Sequence, residues 1–88
     1  MSYNYAAEKP KLFTDEGQRA VMSASINAHK LIDSAGAFMA FKCLVDVKYD
    51  DTFMAMAILD RLVELRVIRE VTGPGAWGQH RVFAAAFE

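Results

Sequence analysis

Ile58-Leu59-Asp60-Arg61-Leu62-Val63-Glu64-Leu65-Arg66-Val67-Ile68-Arg69-Glu70-Val71 changes its period half-way along. Up to Leu65 the apolar residues Ile58, Leu59, Leu62 and Leu65 recur at helical spacing and leave Asp60, Arg61 and Glu64 for solvent. From Val67 the chain becomes β-branched and roughly half polar through Thr72, which suits a strand. Gly73-Pro74-Gly75-Ala76-Trp77-Gly78 is rich in turn formers, and the residues from Gln79 to Ala84 can return as the partner strand. The stretch therefore predicts an amphipathic helix followed by a hairpin with a long loop.

Upstream, Asp50 or Asp51 can cap this helix, the third in the chain. Its first half reads Phe53-Met54-Ala55-Met56-Ala57 and offers no polar face, so that turn must be buried or covered on nearly every side. A second, shorter helix is expected from Ala37 to about Val47, with Phe38, Phe41, Leu44 and Val45 inward. The first helix should start near Thr14-Asp15, where either residue can cap. Val21, Ala24, Ser25, Ala28, Leu31 and Ile32 give it one apolar face, and Asp33-Ser34-Ala35-Gly36 reads as its end. Residues 1–13 are expected to be a loosely ordered lead-in to a single domain over residues 14–88.

The 88 residues allow one small domain, and 53% hydrophobic content is too apolar for a disordered chain. Ten basic residues against eleven acidic ones leave no excess of positive charge for non-specific grip on nucleic acid or anionic lipid. The longest apolar runs, Ala35–Phe41 and Phe53–Leu59, fall well short of the ~20 residues of a membrane span. Met1-Ser2-Tyr3-Asn4-Tyr5 has neither the basic flank nor the apolar core of a signal peptide, and Cys43 is the lone cysteine. A free thiol in an apolar stretch fits a reducing compartment, so a cytoplasmic protein is expected.

The order helix, helix, helix, strand, loop, strand, with the stretch from Ile58 to Val71, resembles the winged helix-turn-helix superfamily. It looks like the end of a recognition helix and the first wing strand in regulators of the MarR-like and GntR-like kinds. The resemblance spans about Thr14 to Ala85 and implies an α+β fold: a three-helix winged helix-turn-helix with a C-terminal β-hairpin wing. In that superfamily helix three lies in the major groove and the hairpin touches the backbone or minor groove. The resemblance implies a small DNA-binding protein, a transcriptional regulator, acting as a homodimer on two half-sites. Two departures stand out. Arg66 occupies the position at which these families end the helix with glycine, and the turn before helix three is longer than the compact form.

On this reading Thr52 and Arg61 of helix three, and Arg69, Trp77, His80 and Arg81 of the hairpin, are the DNA-contacting candidates. Arg81 can meet a phosphate or enter a narrow minor groove, and Trp77 can stack on a base or sugar. The structural alternative is that Trp77 folds back over the hairpin and Arg81 pairs with Glu70 across the strands. Helix three itself offers almost none of the Arg, Lys, Asn, Gln and Ser side chains that meet bases, and Asp50-Asp51 repel phosphate. Phe53, Met54 and Met56 can instead mark a partner surface, as can Met22 and Ile26 on the first helix or the tail from Val82 to Phe87. The competing expectation is thus a protein–protein interaction module on a winged-helix fold that has lost DNA binding.

No catalytic constellation, metal or cofactor is expected. His29 and His80 lie on different elements without a carboxylate or cysteine at ligand spacing. Asp50-Asp51 reads as a cap, and Cys43 as a structural thiol. Gly73-Pro74-Gly75 lacks the lysine and the strand-to-helix setting of a phosphate loop.

Overall fold

The computed structural model describes residues 3–72 and 80–86. Helix α1 (Tyr5–Glu8) runs into a 3-10 turn (Lys9–Phe13), and the long helix α2 (Asp15–Ala35) follows. Strand β1 (Ala37–Met39), the short helix α3 (Ala40–Cys43), helix α4 (Thr52–Glu64) and strands β2 (Ile68–Glu70) and β3 (Val82–Ala85) complete the chain. The fold is α+β, with a three-stranded antiparallel sheet in the order β1-β3-β2.

The long helices begin and end where their caps dictate. Thr14 is extended, and its hydroxyl accepts the Gly17 N–H at 3.0 Å. Asp51 does the same for α4, accepting from Met54 N–H at 2.8 Å. Gly36 closes α2 in the left-handed region (φ 80°) and returns its N–H to the carbonyl of Ile32. Arg66 takes the conformation that glycine would adopt without strain: its φ is 61°, just past the end of α4, and its N–H reaches the carbonyl of Val63.

Two expectations are corrected. The segment from Ala37 does not continue as one helix. Gly36 sends the chain out extended, so residues 37–39 form β1 and pair Ala37 with Ala84, Phe38 with Phe83 and Met39 with Val82. The change of period puts Phe38, Ala40, Cys43 and Val47 in the core and leaves Phe41 and Val45 exposed. Nor are residues 3–13 a loose lead-in. They fold as α1 and the 3-10 turn, and Leu12 sits in the core at 2% exposure. Gly17 makes that seat, because a Cβ there would stand 2.3 Å from the Lys11 carbonyl oxygen and 2.6 Å from Leu12 Cα.

The core lies between α2, α4 and the inner face of the sheet. Ala20, Ala24 and Ala28 let α2 approach closely, and Ile58, Leu59 and Leu62 of α4 fill the space with Ile68 and Phe83. Asn27 staples α2 to the turn after α3, donating to the carbonyls of Cys43 and Val45 at 3.0 Å each.

Candidate functional site

The bare first half of α4 needs a cover, and the N-terminal segment supplies it. Met54, Ala55 and Ala57 are buried, whereas Phe53 is half-buried with its ring 6.1 Å from that of Tyr3. Tyr3 donates its hydroxyl to Asp60 at 2.5 Å. One turn on, Glu64 accepts from Tyr5 at 3.0 Å, Lys9 at 2.9 Å and Arg61 at 2.5 Å. Three donors hold the Glu64 carboxylate charged: hydrogen bonds from Lys9, then Arg61 and Tyr5, lower its pKa to about 2. Burial and the bond to Glu64 push the Tyr5 phenol up to about 12. Burial, with the bond to Asp60, raises Tyr3 as well. One side of α4 is therefore consumed by intramolecular pairing.

Arg81 ties α4 to the sheet. Its Nε and Nη2 donate to the two oxygens of Glu70 at 3.0 and 2.8 Å, and Nη2 also donates to Asp60 at 2.6 Å. Thr72 donates to Glu70 at 2.7 Å, and the guanidinium lies 5.1 Å from the Phe83 ring centre. Burial works against this charge, but the bonds to Glu70 and then Asp60 outweigh it and raise the Arg81 pKa. The same contact lowers Glu70, chiefly through the Arg81 hydrogen bond. The two acidic side chains share one fork-shaped cation, a job lysine could not do as well.

This places the expected DNA contacts individually. Arg81 is 8% exposed and faces its own carboxylates, so it does not offer a phosphate contact. The cross-strand pairing with Glu70 is what the structure contains. Arg61 is half-buried, paired with Glu64 and stacked 5.1 Å from the Phe13 ring centre. Thr52, Arg69 and His80 are exposed, and Trp77 lies outside the described residues. The residues of α4 left partly or fully open are Thr52, Phe53, Met56, Asp60, Arg61, Val63 and Glu64, and the one cation among them, Arg61, is paired with Glu64.

The expected partner surface divides too. Met54 belongs to the core at 5% exposure, because its position on α4 faces inward, so it is withdrawn from that surface. Phe53 is covered by Tyr3, and Met56 is half-buried. Met22 and Ile26 stand on the solvent side of α2 at 67% and 50% exposure, one turn apart. Phe41, Val45 and Tyr49 add exposed apolar surface around α3 and the turn that follows.

Sequence reading missed the N-terminal cover. Its signal was present in the all-apolar first half of α4, which demanded a cover without naming it. Cys43 is buried, with its thiol directed at the carbonyl of Ala24 at 3.1 Å, and burial pushes its pKa up to about 12. Among the described residues no cluster of three or more His, Cys, Asp or Glu could hold a metal, and no helix is long and apolar enough to cross a membrane. Comparison with family models, curated proteins and solved structures finds no match to this chain.

Proposed function

We propose that this chain is a non-catalytic protein-interaction domain on a winged helix-turn-helix scaffold, with no reading helix for DNA. The scaffold reading is supported by the order of elements: α2, α3 and α4 followed by the β2–β3 hairpin, with β1 added to the sheet. The single observation that carries the functional reading is the surface of α4. Its open residues are Thr52, Phe53, Met56, Asp60, Arg61, Val63 and Glu64, and residues 3–13 pack along it, with Tyr3 against Phe53 and Asp60, Tyr5 and Lys9 on Glu64, and Phe13 against Arg61. Base edges and phosphates need cations and amides, whereas this face presents two carboxylates and a single cation, Arg61, that is already paired with Glu64. The exposed apolar side chains that remain, Met22 and Ile26 foremost, suit a protein partner.

The test is a titration of fluorescent random-sequence duplex DNA at low salt. Non-specific binding by DNA-reading proteins falls at a Kd of roughly 10⁻⁴–10⁻⁶ M even at physiological salt. The expected result is no saturable binding up to about 100 µM protein at ~50 mM salt. Saturable binding that weakens steeply with salt would overturn the reading.

A second reading has one observation in its favour: Arg66, Arg69 and His80 are all exposed along the hairpin side of the molecule. It has the hairpin alone grip DNA backbone. Arg69→Ala with His80→Ala then lowers affinity and flattens the salt dependence in the same titration.

A further inference from the structure

Helix α2 carries a stripe whose spacing alternates threes and fours: Arg19, Met22, Ile26, His29 and Asp33. That is heptad spacing, and it runs along the outer side of the helix, opposite buried Ala20, Ala24 and Ala28. All five residues are exposed. Met22, at 67%, is the most exposed of the large hydrophobic residues among those described. Arg19 and Asp33 lie at opposite ends of the stripe, with Ile26 midway between them. Neither makes an ion pair among the described residues. Asp33 also breaks a local rule. It places a negative charge in the last turn of α2, which holds no basic residue, and there the helix dipole disfavours it. No ion pair among the described residues offsets that charge.

From this stripe we infer that the outer face of α2 docks on the same face of a second copy, with the two helices antiparallel. The inference rests on the proposed protein-interaction reading and names its partner. A two-fold axis through Ile26 sets Ile26 against its own equivalent and brings Arg19 of each copy to Asp33 of the other. Met22 then lies along the aliphatic stem of the opposite Lys30, and Ser23 leaves room for the opposite His29. A parallel pairing would set Arg19 against Arg19 and Asp33 against Asp33, so the charges select the antiparallel arrangement. The paired stretch is about four turns, or ~21 Å, on each copy. One helix per copy buries less than the ~1,200 Å² of a standard stable interface, so the dimer is weak and exchanging.

Sedimentation of the full chain from ~10 µM to ~1 mM reads this directly. The wild type should move from monomer to dimer across the series. Asp33→Arg replaces two attractions with two repulsions and should weaken association by roughly tenfold or more. Arg19→Glu combined with Asp33→Arg swaps the charges and should restore it. Ile26→Glu should abolish it, and since the position is exposed, far-UV circular dichroism should be unchanged. A monomer at ~1 mM, or a charge swap that does not recover what Asp33→Arg loses, overturns the interface. Either result stands apart from the DNA titration, because a monomer that leaves DNA unbound refutes this interface and not the absence of a DNA-reading helix.

Discussion

Arg81→Ala removes the cation shared by Asp60 and Glu70. Breaking a fully buried ion pair from one side costs roughly 3–5 kcal/mol, because the remaining charge is stranded. Here the side chains are 10%, 22% and 29% accessible for Arg81, Asp60 and Glu70, so water relieves part of the penalty. Asp60 also keeps Tyr3, and Glu70 keeps Thr72. The expected loss is therefore about 3 kcal/mol, from a total of roughly 4–13 kcal/mol for a chain of this length. In urea that is a shift of the unfolding midpoint by about 2 M. A second substitution, Glu70→Gln, relieves one stranded charge. In the Arg81→Ala background it should cost less than in the wild type, with a coupling of about 1–2 kcal/mol across the double-mutant cycle.

The same network predicts a pH dependence. Glu70 has its folded pKa lowered, first by the Arg81 hydrogen bond. Its contribution is present above the unfolded carboxylate pKa of about 4.3 and is lost as pH falls through the lower folded value. Stability of the wild type should therefore drop on acidification below about pH 5, and the part due to Glu70 should vanish in Arg81→Ala. Urea melts at pH 7 and at pH 3, followed by far-UV circular dichroism, measure both effects. A loss under about 1 kcal/mol at pH 7, with unchanged acid sensitivity, would refute the network as the bond between α4 and the sheet.

Two backbone predictions run against or along simple propensity. Gly17→Ala should gain about 1 kcal/mol from helix propensity, yet the new Cβ would sit 2.3 Å from the Lys11 carbonyl. The net expectation is a loss of about 1–2 kcal/mol and a melting temperature lower by roughly 5–10 °C; a rise would show that residues 9–13 do not seat across α2. Arg66→Gly should do the reverse, relieving a left-handed φ of 61° for a gain of about 0.5–1 kcal/mol in the same melt.

The long elements were legible because each rests on a local rule. Thr14 and Asp51 are caps with the right residues behind them, Gly36 is a left-handed stop, and the change of period after Leu65 marks the hairpin. Strand β1 was not legible, since Ala37-Phe38-Met39 continues an apolar run that suits helix or strand equally. Only its pairing with β3, on the far side of the sequence, decides between them. The same holds for Arg81. Its sequence neighbourhood admitted either a phosphate contact or a cross-strand pair. What chose was Asp60, brought opposite by the packing of α4 against the sheet.

The N-terminal cover shows how folding and function are tied together in this chain. The first half of α4 has no polar side, and residues 3–13 pack along the helix, with Tyr3 beside Phe53. Once there, Tyr3, Tyr5 and Lys9 need acceptors, and α4 provides Asp60 and Glu64. Those carboxylates put negative charge on the outer side of α4, where a phosphate backbone would meet repulsion. A change meant to recreate a reading face, such as Asp60→Arg, would set a second cation against Arg81 and release Tyr3 in one step. The apolar first turn, the cover and the acidic face thus depend on one another. Altering the surface charge of α4 alone would therefore undo its contacts with Tyr3, Tyr5 and Lys9, and the cover with them.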